Sequence, residues 1–598
     1  MSIDEPVPKH ERKWWKEAVF YQIYPASFRE TPPKGESPDS YAYQGIGNFE
    51  GIISSLDYLQ HDLGVDAIWV SPHYESPERD MGYDISNYQN VNSKYGTLED
   101  CDRLIKETHA RGMKIVFDLV INHCSTDHAW FQEARSSISN PKRDYFIWRP
   151  PKAFDERGRP IPPNNWAAAF GGSVWEWDEG TQEYYLHLFD KTQADFNWEN
   201  NECRQAIYDE AIRFWLDRGI DGFRIDTVVL YSKHLDFPDA PVTNPSVEWQ
   251  RPDDLVGFGP RLLEFVSEMV SESMSGYGDI VTIGEAAVPG GGERLRSLVS
   301  ARENRLSMLF LFDIALLDAG RDHAHFARPW SLPEWKQHVV EYQRVMDGGD
   351  CWNTNYLENH DRGRSVTRYA SDAPEHRVAS GKLLALYLLT QSGTPFIYQG
   401  EELGIINAPL SYPIEDYMDT ESINWWAWIN ETYKDDPATV QRAREGLQLN
   451  ARDHARMPMQ WTGGANGGFT GANASPWQKM NPCYTSINVE AQLGDPASVL
   501  SFYKQLVVIR KRHPDLFAYG KFTMLDEHDD ETMIWIKDTE EETGEQALVV
   551  LNFTPRRLEF KMPRAKTKGN PKLTMSTHEG SDEDVLEPFE GRLYFCNA

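Results

Sequence analysis

The sequence lacks the features of a secreted or membrane-bound protein. Its 598 residues include only six cysteines, which are scattered without CxxC spacing, so reduced thiols are the simplest interpretation. The N-terminal stretch MSIDEPVPKHERKWWKE is charged and contains no apolar signal-peptide core. The longest apolar run, 383–389, is too short to span a bilayer. We therefore predict a cytoplasmic protein without a membrane partner.

The chain also lacks an excess of positive charge. Its formal net charge is -32 at pH 7, which argues against nucleic acid and against an anionic membrane surface as partners. The spacing of histidines and cysteines does not match a zinc site. None of these features bears on the oligomeric state.

Aromatic residues, by contrast, are abundant. The chain contains 20 Trp and 27 Tyr, whose flat apolar faces and polar edges suit stacking on sugar rings. A large aromatic core would give the same count, so composition alone does not separate the two interpretations. Hydrophobic residues make up 40% of the chain, which is enough for a globular core. The length indicates two or three domains, one of which could be a large α/β barrel.

Apolar strands alternate with helices over most of the chain. Strands are predicted within 18–28, 65–72 and 113–123, and later at 222–226, 279–285, 308–313, 353–361 and 394–402. Helices are predicted at 49–63, 98–111, 201–217 and 381–391. Near-continuous apolar strands separated by helices are typical of parallel pairing with both faces covered. Eight such strands predict a (β/α)8 barrel, which is an α/β fold.

Two regions depart from this alternation. The stretch 125–191 is rich in Pro, Asn, Gly and Trp, and we predict an irregular subdomain inserted after the third strand. From about residue 521, short alternating strands predict a C-terminal antiparallel β domain. The predicted domains are therefore 1–124 and 192–520 for the two parts of the barrel, 125–191 for the insertion and 521–598 for the β domain.

Three carboxylates fall at the C-terminal ends of predicted barrel strands, where the catalytic groups of such barrels lie. They are Asp226 in GFRID, Glu285 in TIGE and Asp361 in ENHD. Each alone is more often a cap or a surface charge. Three carboxylates on one rim would repel one another, and a cluster of that kind usually persists for function.

The neighbours of these carboxylates suggest different roles. Arg224 and Asp226 share one strand face, because side chains alternate along a strand, so we expect the guanidinium to lower the pKa of Asp226 and keep it ionised. A structural salt bridge is the alternative interpretation. Glu285 has no cation adjacent in sequence. This pattern suits cleavage of a glycosidic bond, with Asp226 as nucleophile and Glu285 as acid and base.

The chain resembles glycoside hydrolases of the α-amylase clan, in the maltase and oligo-1,6-glucosidase branch. The resemblance extends over nearly the whole length and rests on motifs in the right order. They are YQIYPASF, DMGYDISNY, DLVINH, NNWAAAFGG, GFRID, GE, ENHDRGRS, GTPFIYQGEELG and ARDHARMPMQW.

The resemblance implies a role for residues at each matching motif. Asp226 is implied to be the nucleophile, Glu285 the acid/base and Asp361 the transition-state stabiliser. The residues implied to bind the glucosyl unit are Asp80, Tyr83, His123, Phe189, Gln193, Arg224, His360 and Arg456. Tyr83 would stack on the sugar, while Phe189 and Gln193 would line the pocket from the insertion. A pair of Asp80 and Arg456 would close the pocket behind one sugar and give release of single glucose units from the non-reducing end.

The sequence departs from the family in two places. A calcium loop of the form DxNxDGxGD often follows YPASF, but here the region FRETPPKGESPDSYAYQGIGNFEGI lacks that run of oxygen ligands. Because calcium needs six to eight such ligands, we predict no metal and no cofactor. Thr227 follows the nucleophile, and in the family a Thr or Ala there resembles enzymes that act on α-1,4 bonds, while Val resembles isomaltases. Ala286-Ala287 departs from the commoner GEM and widens the space near the leaving group. We expect an α-glucosidase that prefers maltose, with sucrose and transglucosylation also open.

Two other functions are compatible with parts of the pattern. A sucrose isomerase or trehalose synthase would move the glucosyl bond without hydrolysing it. A non-catalytic ancillary subunit of amino-acid transporters also has a barrel of this kind. That subunit requires a membrane span ahead of the barrel and typically has incomplete catalytic acids, whereas all three acids stand here. The linkage preference, the ratio of hydrolysis to transfer and the preferred chain length do not follow from the sequence.

Overall fold

The structure is a computed structural model, and it describes residues 11–286, 291–320, 325–347, 349–540, 544–580 and 582–597. The first ten residues of the charged N-terminal stretch and Ala287, which was considered above beside Glu285, lie outside these ranges.

Eight parallel strands form the barrel sheet, as predicted. In chain order they are β1 (Phe20–Ile23), β2 (Ala67–Val70), β3 (Lys114–Leu119), β4 (Gly222–Ile225), β5 (Val281–Ala286), β6 (Met308–Leu311), β7 (Thr354–Asn355) and β8 (Thr394–Tyr398). Their order in the sheet is β6-β5-β4-β3-β2-β1-β8-β7. Every neighbouring pair is parallel. Because parallel strands of one barrel end at the same rim, the carboxyl ends of β4, β5 and β7 meet there.

Side chains join β6 to β7, which have no ladder of backbone hydrogen bonds between them. The hydroxyl of Thr354 donates to the carbonyl of Leu309 at 2.8 Å, and that of Tyr356 donates to the carbonyl of Leu311 at 2.8 Å. A strand was predicted over 353–361, but only Thr354–Asn355 forms backbone pairing in the sheet. The rest of that segment turns over the rim and carries His360 and Asp361.

A helical segment follows each barrel strand. These segments are Phe49–Ser54 with Tyr58–Leu63, Leu98–Ala110, Asn201–Ile207 with Tyr208–Arg213 and Phe214–Leu216, Leu262–Ser273, Gly291–Val299, Leu332–Met346, Arg377–Leu389 and Val499–Arg512. N-terminal caps fix where two of these helices begin. Thr97 and Asp100 form a capping box before Leu98, and the Asn200 side chain accepts a hydrogen bond from the N–H of Cys203. The predicted helices 49–63 and 201–217 both contain a π-helical stretch, Tyr58–Leu63 and Tyr208–Arg213.

The insertion after β3 has some order of its own. It contains the helix Ala129–Ser136 and a three-stranded antiparallel sheet of Trp148–Arg149, Glu183–Leu186 and Trp175–Asp178. It begins and ends in a two-stranded antiparallel ladder, His123–Ser125 with Gln193–Asp195. This ladder pairs His123 with Asp195 and Gln193 with Ser125, and the side chains of His123 and Gln193 meet across it at 3.2 Å.

The C-terminal region forms a five-stranded antiparallel sheet, as predicted. Its strands are β9 (Lys521–Met524), β10 (Thr532–Asp538), β11 (Gln546–Asn552), β12 (Asn570–Ser576) and β13 (Gly591–Asn597), in the order β9-β10-β11-β13-β12. The other α-helices are Trp14–Glu17, Pro25–Phe28, Ser365–Tyr369, Thr420–Thr432, Pro437–Asn450, Arg452–Arg456, Val489–Leu493 and Pro514–Phe517. The domain boundaries near 124, 191 and 520 stay predictions.

The barrel interior is filled by side chains. Phe20, Trp69, Ile283, Phe310 and Phe396 belong to one buried cluster, in which the rings of Phe20 and Phe396 stack at 4.6 Å. A packed floor of this kind keeps the ends of the strands fixed relative to one another. No helix in the part of the chain that the structure describes is long and apolar enough to cross a membrane.

Candidate active site

One guanidinium connects three carboxyl groups at the ends of β3, β4 and β5. Arg224 Nη1 lies 2.7 Å from Asp226 Oδ1 and 3.0 Å from Asp118 Oδ1, and Nη2 lies 2.7 Å from Glu285 Oε1. The strand register explains the contact with Asp118, because Arg224 on β4 pairs with Asp118 on β3. We call these four residues the Arg224 cluster. Asp226 and Glu285 are 5% and 6% exposed, so the pair is almost enclosed.

Thr227 supplies a second link between the two reacting candidates. Its N–H donates to Glu285 Oε2 at 3.0 Å, and its hydroxyl donates to Asp226 Oδ2 at 3.1 Å. Its backbone is left-handed, with φ 42° and ψ 37°. Sequence reasoning considered Thr227 only for linkage preference.

Burial governs the pKa values in the Arg224 cluster. It raises the pKa of Glu285 to about 8 against the opposing effect of Arg224. Burial also raises the pKa of Asp226, and Arg224 only partly offsets it. Arg224 favours the ionised form of Asp226 as predicted, but the predicted net lowering of its pKa is wrong, because burial outweighs a guanidinium that two other carboxyls share. Glu285 also has a cation in contact, which its sequence neighbours did not indicate.

His360 and Tyr83 form a stacked pair beside Asp361. Their rings are 5.3 Å apart and 5° from parallel, and Tyr83 Oη lies 2.7 Å from His360 Nε2. The same hydroxyl lies 3.2 Å from Asp118 Oδ2, which joins this pair to the Arg224 cluster. Burial lowers the pKa of His360 to about 3, so its imidazole is neutral at pH 7. Tyr83 therefore lies parallel to His360 but offset from it, and its stacking on a sugar stays a prediction.

Two arginines hold Asp361. Arg452 Nη2 lies 2.9 Å from Asp361 Oδ1, and Arg456 Nη2 lies 3.4 Å from the same oxygen. Asp419 anchors the second arginine, with its Oδ2 at 2.8 Å from Arg456 Nη1. We call Asp361, Asp419, Arg452 and Arg456 the Arg452 cluster. Burial favours the neutral acid, but His360, which becomes charged only in acid, and the two arginines outweigh it and hold the pKa of Asp361 well below its usual range.

The arginine that contacts Asp80 is Arg452. Its Nη1 lies 3.6 Å from Asp80 Oδ1, whereas Arg456 points to Asp419 and Asp361. The direct ion pair of Asp80 is therefore with Arg452, and closure of the pocket by Asp80 and Arg456 stays a prediction. Both arginines lie on the short helix Arg452–Arg456, and residues four apart share one helix face. That spacing within the quoted motif ARDHARMPMQW was the signal that could have identified Arg452.

The insertion supplies the remaining predicted residues. Gln193 Nε2 donates to Asp80 Oδ2 at 3.0 Å and lies 3.2 Å from His123 Nε2. The rings of His123 and Phe189 are 5.1 Å apart. Burial raises the pKa of Asp80 to about 7. All eleven predicted site residues therefore belong to one connected set of contacts.

Asp118, Asp419, Arg452 and Phe170 also belong to this set and were not predicted. Asp118 and Asp419 pair with the arginines, Arg452 contacts four acids, and Phe170 of the insertion lies under the Arg452 guanidinium at 5.3 Å. Asp118 stands in the motif DLVINH, but its strand position gave no reason to separate it from a structural residue. Asp419 and Phe170 lie in loops, where sequence offers no periodic signal.

A buried glutamate organises the loop that the family resemblance associates with calcium. The Glu30 carboxylate accepts from the backbone N–H groups of Gln44 at 2.6 Å and Gly45 at 2.9 Å, and from the Thr470 hydroxyl. Within the described ranges, no group of three or more His, Cys, Asp or Glu residues is arranged to hold a metal ion. The absence of a metal stays a prediction.

Comparison with known proteins identifies a matching family model and close relatives. The model of the alpha amylase catalytic domain matches residues 22–520. Oligo-1,6-glucosidase IMA3 of Saccharomyces cerevisiae is 44% identical, with 99% of this chain and 100% of that protein covered. An alpha-glucosidase of Candida albicans is 45% identical, with 98% and 99% covered.

Solved structures show the same architecture. An isomaltulose synthase mutant from Erwinia rhapontici, in complex with sucrose, superposes with a TM-score of 0.88 at 37% identity, and the match covers 98% of this chain and 100% of that one. The trehalulose synthase MutB from Pseudomonas mesoacidophila gives a TM-score of 0.87 at 37% identity, with the same coverage.

Proposed function

The chain belongs to the α-amylase family and is an exo-acting α-glucosidase, a glycoside hydrolase that acts on small α-glucosides, and on this premise we propose that its reaction runs through a covalent glucosyl intermediate on Asp226. Glu285 is the acid and base, and Asp361 stabilises the transition state. The contacts around Arg224 support this assignment more than any other observation, because they bring Asp226 and Glu285 together at one guanidinium.

The first step breaks the glycosidic bond. A carboxylate oxygen of Asp226 forms a bond to the anomeric carbon while the bond from that carbon to the leaving oxygen breaks. The proton on Glu285 passes to the leaving oxygen, which departs as a hydroxyl group. A pKa of about 8 keeps Glu285 protonated at neutral pH, as this step requires.

The second step releases glucose. The Glu285 carboxylate takes a proton from water, the water oxygen bonds to the anomeric carbon, and the ester bond to Asp226 breaks. The net reaction consumes one glycoside and one water and yields glucose and an alcohol. Two inversions at the same carbon retain the α configuration. A sugar hydroxyl in place of the water would give transglucosylation by the same step.

Asp361 is suited to stabilise positive charge at the anomeric carbon. Its pKa is held well below the usual range, so it remains ionised throughout the reaction. An anion close to an oxocarbenium-like centre lowers the free energy of the transition state more than that of the neutral ground state. Asp361 needs no proton transfer for this role, in contrast to Glu285.

The exo action is consistent with the contacts behind the acids. Asp80, Arg452 and Gln193 form a polar wall that joins the insertion to the helix Arg452–Arg456. Charged and amide groups in fixed positions suit the hydroxyls of a terminal glucose, because each can donate to or accept from a specific hydroxyl. We propose that His123, Phe189, His360, Tyr83 and Arg456 complete this sugar subsite.

Maltose is the proposed preferred substrate, with sucrose as a further substrate. Thr227 next to Asp226 supports the preference through the family resemblance. The relatives include proteins named for oligo-1,6-glucosidase activity, so the rate on isomaltose is the comparison that decides the linkage preference. Initial rates on maltose, isomaltose and sucrose test the proposal, and activity on isomaltose alone would overturn the preference.

A glucosyl-transferring isomerase is the second candidate. The structural likeness to isomaltulose and trehalulose synthases favours it, whereas the relatives of higher identity favour hydrolysis. Chromatography of the products from sucrose separates the two, since free glucose and fructose indicate hydrolysis and an isomeric disaccharide indicates transfer. We further propose that the enzyme works in the cytoplasm without a metal, so that dialysis against a chelator leaves its activity unchanged.

Proton NMR during the first minutes of maltose cleavage tests the covalent mechanism. The α anomer of the released non-reducing glucose should form first and then mutarotate. Initial formation of the β anomer would exclude a covalent intermediate on Asp226 and overturn the assignment.

A further inference from the structure

Thr227 has an unusual backbone conformation for its residue type. Its φ of 42° lies in the left-handed region, which disfavours side chains that branch at Cβ. Among the residues that the structure describes, it is the only β-branched one with a positive φ. Strained conformations of this kind persist where the surroundings fix them, and they cluster at functional sites.

The surroundings of Thr227 fix this conformation. The next residue, Val228, is fully buried and begins the short helical turn Val228–Leu230. Gly284, directly before Glu285, leaves room for it, since a Cβ there would lie 3.0 Å from Val228 Cγ1. The Thr227 carbonyl accepts from the N–H of Leu230 at 2.9 Å. Packing between β4 and β5 therefore holds Thr227 in place.

The conformation divides the four carboxyl oxygens of the reacting pair between two residues. Arg224 holds Asp226 Oδ1 and Glu285 Oε1, each at 2.7 Å. Thr227 holds the other two, Asp226 Oδ2 through its hydroxyl at 3.1 Å and Glu285 Oε2 through its N–H at 3.0 Å. Each carboxyl is thus held at both oxygens, which restricts rotation about the bond to its carboxyl carbon.

We propose that Thr227 is a positioning residue that aligns the nucleophile and the acid with each other, its hydroxyl orienting Asp226 and its backbone N–H orienting Glu285. This inference rests on the proposed roles of Asp226 and Glu285. It assigns to the side chain an effect on the reacting carboxyls, separate from any effect on the linkage that is cleaved. An oriented carboxylate attacks without first losing rotational freedom, so loss of the hydroxyl should slow attack.

The hydroxyl should also affect the protonation of Asp226. A hydrogen bond donated to a carboxylate favours its ionised form. The other ionisable groups that face this pair are Arg224, Asp118, Tyr83, Tyr231, Asp361 and Tyr356. All of them remain in a Thr227 variant, so a change in the pH profile reports the lost hydroxyl.

The test compares Thr227→Val with Thr227→Ser. Valine keeps the branched shape but has no hydroxyl, and serine keeps the hydroxyl but loses the methyl group. The substrate is an aryl α-glucoside whose leaving group departs without a proton, so kcat/KM reports attack by Asp226. For Thr227→Val we expect kcat/KM to fall about 5- to 10-fold and the acid limb to move up by about 0.5 to 1 pH unit. For Thr227→Ser we expect both within about twofold and 0.2 unit of the parent.

Two results would overturn the proposal. The hydroxyl has no positioning role if the valine variant keeps the kcat/KM of the parent and the same fall in activity at acid pH. The methyl group and not the hydroxyl matters if the serine variant loses as much as the valine variant. Thermal unfolding checks that both variants fold, and Thr227→Ala replaces the valine variant if that one does not. Asp226→Asn separates this inference from its premise, since an active Asp226→Asn enzyme would refute the proposed function itself.

Discussion

The Arg224 cluster and the Arg452 cluster place the same residue types at one barrel rim with opposite electrostatic results. In the first, one guanidinium contacts Asp118, Asp226 and Glu285, and burial raises the pKa of all three. In the second, two guanidiniums contact Asp361, and its pKa is lowered. Burial dominates where one guanidinium is shared among three carboxyls, whereas His360 and two guanidiniums outweigh burial at Asp361.

The difference matches two chemical tasks. An acid that must give up and regain a proton needs a pKa near neutrality, which the shared guanidinium allows. A group that stabilises positive charge must stay ionised at every working pH, which two guanidiniums ensure. The same barrel rim thus provides a titrating pair and a permanent anion within one connected set of contacts.

The largest effect that the comparison predicts is that of Asp226→Asn. An amide does not attack the anomeric carbon, so kcat should fall by about 10⁴-fold while the fold is retained. Steady-state kinetics on maltose and thermal unfolding measure the two quantities. Asp209→Asn, at an exposed residue of the helical segment after β3, is the matched control and should behave as the parent. A variant at position 226 with a tenth of the parent kcat would contradict the assigned role.

Arg224→Lys should have the next largest effect. A lysine retains one charge but not the fork that reaches Asp226 and Glu285 together, so kcat/KM should fall about 100-fold. Most of this loss should lie in kcat, because the reacting groups and not the sugar contacts are disturbed. An unchanged kcat with a raised KM would show that Arg224 binds sugar and does not organise the acids.

Arg452→Lys should have a smaller effect of a different kind. Arg456 still contacts Asp361 in this variant, so we expect kcat within about threefold and KM for maltose raised about tenfold through the weaker contact to Asp80. Arg444→Lys, at an exposed residue of the preceding helix, is the control. A loss of kcat equal to that of Arg224→Lys would remove the distinction between the clusters.

The pH profile gives the smallest but most specific prediction. Glu285 acts as an acid only while protonated, so kcat/KM should fall as the pH rises through about 8. Asp226 attacks only while ionised, so activity should also fall as the pH falls through its raised pKa. Asp361 should add no limb, because its pKa lies far below the working range. A flat profile between about pH 4 and pH 9 would contradict the titrating pair.

Much of this arrangement could be predicted from the sequence. Apolar runs indicated all eight strands, and alternation along β4 placed Arg224 and Asp226 on one face. The pairing of Arg452 with Asp80 was missed, because it joins a helix and a loop that are far apart in the chain. The pKa of Asp226 was predicted in the wrong direction, because the sequence shows a neighbouring cation but neither the depth of burial nor the other carboxyls that share it.

The central claim is that Asp226 forms the bond to glucose. A 5-fluoro-α-glucosyl fluoride reacts with such a nucleophile and leaves a slowly hydrolysed ester, which peptide mass spectrometry locates. We predict a single fluoroglucosyl label on Asp226, within the GFRID peptide. A label on Glu285 or Asp361 would contradict the account. So would complete turnover of the fluoride with no labelled peptide in both the parent enzyme and a Glu285→Gln variant.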